Sequence, residues 1–161
     1  MSDPAVIRVE VTVGPDWIDF NGHMRDAYYM LVVSWANDAL MDAVGMGPAY
    51  LRETGCTFYN LENHIRFLRE AHEGERLRAD LRVIDVDAKR VHLISEVRAV
   101  AENALCALNE AVLLHVRQGA PAAAAPFPPE VAARLQALCD GSADWPRPAR
   151  RAGPLGLRRA T

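Results

Sequence analysis

The chain has 161 residues, 50% hydrophobic and 24% charged, with a net charge of −3, which bounds it as one globular domain with length enough for a real core. Residues 141–161 carry five Arg and one Asp, so the acidic excess lies in the body, and an acidic body argues against nucleic acid as a partner. Cys56, Cys106 and Cys139 have no metal-ligand spacing, and three is not the even count of a disulfide framework, so a reduced cytoplasmic setting is expected.

The opening residues show no basic region followed by an apolar run, so no secretory signal is expected. Val6 to Val13 alternates Ile7, Val9, Val11 and Val13 with Arg8, Glu10 and Thr12, the pattern of a strand with one buried face. Gly14-Pro15-Asp16 ends it. A polar loop then feeds a long helix that starts at Asp26 and runs from Ala27 to Val44 without Gly or Pro. Ser34, Asp38 and Asp42 make one narrow polar stripe, and the rest of its surface is largely apolar, so a buried central helix is expected. At about 27 Å, and with several polar residues, it is a poor membrane span.

Gly45 to Gly55 reads as a turn with a short helical piece around Tyr50–Glu53. Four strands follow: Cys56–Leu68, Arg76–Val86, Arg90–Val100 and Leu105–Val116. They are separated by turns at His72–Glu75, Asp87–Lys89 and Glu102–Asn103, which implies an antiparallel meander. Gly119 to Pro129 is an Ala/Pro linker, and Pro129 to Leu138 an amphipathic helix through Val131, Leu135 and Leu138. The expected division is a domain over 1–118, linker and helix over 119–140, and a loosely ordered basic tail over 141–161. Phosphate-cradling glycine loops, a Gly-x-Ser-x-Gly elbow and metal-ligand spacings are absent, so no metal or cofactor is expected.

The order β-α-β-β-β-β around a buried helix, with the loop WIDFNGHMRDAYY, resembles the 4-hydroxybenzoyl-CoA thioesterase-like group. The segments WIDFNGHMRDAYYM, LENHIRFLREAHEGERLR, DAKRVHL and NEAVLLHV are similar to the betainyl-CoA thioesterases of bacterial carnitine breakdown, over most of residues 5–140. The resemblance implies an α+β hotdog fold, a five-stranded antiparallel sheet wrapped round the helix. It implies hydrolysis of a small acyl-CoA thioester, with CoA as part of the substrate. It also implies a homodimer or homotetramer with shared sites, without membrane contact. Asp19 falls on the family's catalytic Asp, and Gly22-His23 on its Gly-His pair. Trp17 stands where many members carry a second acid, and Arg25-Asp26 where Asn is common, departures that suit a specialised pocket.

A carboxylate in such a loop can act as general base or attack the thioester carbonyl itself. Free amides at the helix start, near Met24 to Tyr28, are natural donors to the carbonyl oxygen. Asn21 and His23 are candidates to orient substrate or water, with loop packing the plain alternative for His23. Glu62 and His64 share a strand face; Glu62 could complete a partner's site or be a solvated strand residue. A quaternary ammonium is held by aromatic faces, for which Trp17, Tyr28 and Tyr59 are candidates, while Trp35 and Phe67 are assigned to the core. Lys89 and Arg90, at a turn, are candidates for the CoA phosphates. The rival readings are a thioesterase for another short or aromatic acyl group, a hydratase, and an acyl-CoA-sensing module.

Overall fold

The computed structural model describes residues 3–148 and Leu157. Ile7–Thr12 forms β1, with Ile7, Val9 and Val11 turned to the core and Arg8, Glu10 and Thr12 outward, as alternation requires. A 3-10 turn at Pro15–Trp17 leads to a loop and then to α1, Asp26–Ala43. Val32, Val33, Ala36 and Leu40 of α1 are fully buried. Ser34, Trp35, Asp38 and Asp42 are exposed, so α1 is covered on one face rather than on most sides. It packs on β1, β3 (Arg76–Val86) and β4 (Arg90–Ala99). α2, Pro48–Thr54, is longer than the expected single turn and closes on Gly55, whose φ of 68° favours glycine.

Cys56–Phe67 is β2 and Leu105–Arg117 is β5. The sheet order is β1-β3-β4-β5-β2, with a two-residue β6, Ala123–Ala124, beside β5. The meander therefore holds only from β3 to β5. β2 does not neighbour β3; it pairs with β5 at the far edge, and β1 pairs with β3 at the other. The reason is the connection over residues 68–75, which crosses from one edge of the sheet toward the other. It is pinned on its way, because the Met24 amide donates to the Ala71 carbonyl at 2.8 Å and the Tyr29 hydroxyl to the Arg69 carbonyl at 3.2 Å. At its end, Val13 and Gly74–Glu75 exchange two backbone bonds.

α3, Pro129–Gly141, sends Val131 and Leu135 into the same core as α1 and the sheet, so the linker returns the chain to the domain. Beyond α3, Trp145 lies on Ile84, Ile94 and Leu108 of the sheet's outer face, with the Arg82 guanidinium 5.1 Å from its ring centre. From residue 149 onward the basic tail, apart from Leu157, lies outside the described residues.

Candidate active site

The loop before α1 is a tight hairpin. Ile18 and Met24 form a β-bridge, the Asp19 amide donates to the His23 carbonyl at 2.9 Å, and the Gly22 amide to the Asp19 carbonyl at 3.0 Å. Gly22 sits at φ 81°, a conformation in which any side chain is strained. The turn aims the Asp19 carboxylate back across itself. Its oxygens accept from the Asn21 amide at 2.8 Å, the Asn21 side-chain amide at 3.2 Å and the His23 amide at 3.4 Å. Desolvation alone would raise its pKa; the donors of Asn21 and His23 outweigh that and hold the carboxyl below the ordinary carboxylate range. It is ionised at neutral pH.

Asp19 lines a cleft of about 400 Å³ with His23, Met24, Asp26, Tyr29 and residues Phe67–Glu70. Its walls come from three elements: the hairpin, the first turn of α1, and the crossing segment after β2. Of the amides from Met24 to Tyr28, four have partners: Met24 on Ala71, Arg25 on Trp17, Ala27 on the Asp26 carboxylate, and Tyr28 on Arg25. Among the described residues that leaves the Asp26 amide, at the positive end of α1, as the donor open to a ligand. Tyr29 is 3% exposed, and burial pushes its hydroxyl to about 12, so it stays a donor on the Arg69 carbonyl. The Phe67 ring meets Tyr29 edge-on at 5.4 Å.

The cleft's electrostatics are one-sided. Asp19, Asp26 and Glu70 contribute three carboxylates. The single guanidinium, Arg69, is bonded to Glu75 at 2.7 Å and lies 3.4 Å from Glu102. His23 also approaches the crossing segment: its ring lies 5.2 Å from that of His72, edge to face. The ligand atoms of His23, Glu70 and His72 all lie within 4.8 Å of one another, a set that could hold a metal ion. Sequence spacing does not register this trio, because its members come from segments far apart in the chain.

Several sequence candidates lie elsewhere. Trp17 and Tyr28 stack on each other, centroids 4.8 Å apart and planes at 11°, and neither lines the cleft. Trp35, assigned to the core, is 36% exposed and tilts against Trp17 at 5.9 Å. Phe67, also assigned to the core, is 50% exposed and forms part of the cleft wall, since β2 is an edge strand. Tyr59 is paired with Leu114 and Phe67 with Ala107, so Tyr59 lies at the opposite end of β2, roughly 20–25 Å away at ~3.3 Å per residue. Glu62 and His64 pair with Val112 and Glu110, on the sheet face away from α1, and bond to each other at 2.9 Å. Lys89 and Arg90 sit at the β3–β4 tip, at the Tyr59 end, where Arg90 makes two bonds of 2.8 and 2.6 Å to Asp87. Within one chain these five residues do not reach Asp19.

Residues that sequence reasoning missed are Asp26 as a cleft residue, Tyr29, Phe67 and Glu70. Phe20, beside Asp19, is 97% exposed. The missing signal was the path of residues 68–75, which no local pattern encodes.

A family model described as the thioesterase-like superfamily matches residues 13–135. The betainyl-CoA thioesterase of Pseudomonas aeruginosa is 39% identical over 139 residues, covering 86% of this chain and 87% of that protein. An L-carnitine dehydrogenase/betainyl-CoA thioesterase of Rhizobium meliloti is 34% identical over 140 residues; the match covers 87% of this chain but 28% of that longer protein. Among solved structures, a Staphylococcus aureus protein in complex with CoA superposes with a TM-score of 0.79 at 24% identity, over 88% of this chain and 90% of that one. The architecture is that of the hotdog thioesterases.

Proposed function

The chain belongs to the thioesterase-like superfamily and is a thioester hydrolase; on that premise we propose that it hydrolyses betainyl-CoA to glycine betaine and CoA. The observation that carries this choice is the cleft's composition. Three carboxylates and the half-exposed Phe67 ring, packed edge-to-face with buried Tyr29, meet in one small space whose single guanidinium, Arg69, is already engaged. Such a space suits a compact acyl group bearing a positive charge. The name of the Pseudomonas aeruginosa relative supports the same choice.

The chemistry follows from what lines the cleft. The Asp26 amide, at the helix tip, donates to the thioester carbonyl oxygen and stabilises the charge that develops there. The ionised Asp19 carboxylate either takes a proton from water as that water adds to the carbonyl carbon, or adds to the carbon itself and is then released by water. In both routes the C–S bond breaks, CoA leaves as its thiol and the betaine carboxylate remains. Asn21 fixes the Asp19 carboxylate, and His23 forms the adjoining wall.

CoA is the carrier part of the substrate, and its phosphates need cations that the cleft lacks. An assembly supplies them. β2 is a twelve-residue edge strand with Tyr59, Leu61 and Phe67 41%, 55% and 50% exposed, an open template for pairing. A two-fold axis through the middle of β2 sets the Phe67 end of one protomer against the Cys56 end of the other. The β3–β4 tip lies at that Cys56 end, so the partner's Lys89 comes toward this cleft, and Glu62 and His64 fall near the axis. The reading is therefore a homodimer with shared sites. Three free cysteines fit work in the cytoplasm.

The test compares betainyl-CoA with 3,3-dimethylbutanoyl-CoA, the same shape with carbon in place of the charged nitrogen. A desolvated cation–π contact is worth about 2 kcal/mol, so kcat/KM should favour betainyl-CoA by roughly thirtyfold. Equal values would remove the betaine assignment and leave a hydrolase for another short acyl group.

A further inference from the structure

We propose that His23, Glu70 and His72 form a binding site for a divalent zinc-like cation, and that an ion held there closes the cleft to substrate. Two imidazoles and one carboxylate are the donor set of open zinc sites, in which three protein ligands leave a fourth position free. Their ligand atoms already lie within 4.8 Å of one another. Tetrahedral zinc, at ~2.0–2.1 Å from each donor, brings its ligand atoms to roughly 3.3–3.4 Å. The difference is within the reach of side-chain rotation.

The backbone is prepared for this. His23 comes from the hairpin, and Glu70 and His72 flank Ala71, which is fully buried and accepts the Met24 amide at 2.8 Å. That bond fixes the two segments side by side, while Glu70 and His72 stay exposed and free to turn inward. The surrounding charge is favourable. Asp19 and Asp26 line the same cleft, and Arg69, the nearest guanidinium in sequence, is drawn to Glu75 and Glu102.

The consequence for activity comes from geometry and charge. His23 and Glu70 line the cleft, so an ion that joins them to His72 draws two lining side chains toward each other and narrows the space beside Asp19. A dication there also repels a trimethylammonium group. The closure half of the inference rests on the functional reading above; the binding half does not.

The experiment uses the full chain stripped with a chelator. Co2+ is titrated without substrate and followed by the visible absorption of the tetrahedral ion, with equilibrium dialysis against Zn2+ for stoichiometry. One ion per chain is expected, with affinity lowered at least about a hundredfold in His72→Ala and in Glu70→Gln. Thioester hydrolysis by the native chain is expected to fall as Zn2+ is added. In His72→Ala, whose changed side chain does not line the cleft, metal-free hydrolysis should persist and Zn2+ should no longer inhibit it. No uptake, or uptake unchanged in both variants that melt as the native chain does, overturns the site. Uptake that leaves native hydrolysis untouched overturns the closure. Because the spectrum is read without substrate, a failure of the hydrolytic reading shows separately.

Discussion

At the scale of the residue, a short hairpin turns its own polar groups onto one carboxylate. Asp19 is held by its own loop, and the bonds that orient it also keep it ionised. The motif around Asp19, Gly22 and His23 stood out in the sequence only through its resemblance to the thioesterase-like group; of the three, the turn's backbone demands only the glycine, at φ 81°. The opposite wall did not stand out. Phe67 alternates with Arg66 like any strand residue, and nothing local marks it as half-exposed against Tyr29. This placement predicts that Phe67→Ala, assayed with betainyl-CoA and its neutral isostere, narrows the preference to within about threefold, since the lost aromatic face served the cation alone. A preference left intact would put the cation elsewhere.

At the scale of the element, β3 and β4 owe their tip to Asp87. Its carboxylate accepts from the Lys89 amide at 3.0 Å, the Arg90 amide at 2.7 Å and the Arg90 guanidinium. The same tip receives the Phe127 amide on the Ala88 carbonyl, which leads the chain into α3. Burial acts to raise the Asp87 pKa, but the Arg90 guanidinium and the two amides outweigh it, so it lies below the ordinary value of 3.8. A group depressed in the folded state contributes stability above its unfolded pKa and loses it as pH falls through the folded one. Asp87→Asn is therefore expected to cost about 1–2 kcal/mol in denaturant melts at pH 7. The gap should close as the pH drops below about 4. A cost independent of pH would contradict the ionic account. The strands themselves were legible from alternation to within a residue or two. Their order was not: β2 and β3 carry the same period-two pattern whether they are neighbours or lie apart in the sheet, and it is set by the crossing path of residues 68–75, held by Met24, Tyr29 and Val13.

At the scale of the whole molecule, the proposed dimer answers a separation within the chain. Asp19 and its cleft lie at one end of the sheet, Lys89 at the other, and the open edge of β2 offers the way to join them. Leu61, 55% exposed at an irregularity in β2, is the place to break such a pairing. Leu61→Lys is expected to run as a monomer in size-exclusion chromatography with light scattering and to lose hydrolysis through a raised KM for CoA esters. A dimer that persists would remove β2 from the interface. Cleavage of the thioester by the Asp19 carboxylate and the α1 tip acting together is tested by single-turnover hydrolysis of betainyl-CoA by Asp19→Asn beside the native chain, with binding measured separately. The rate is expected to fall at least about a hundredfold with affinity for the ester kept within a few-fold; an unchanged rate would remove Asp19 from the chemistry.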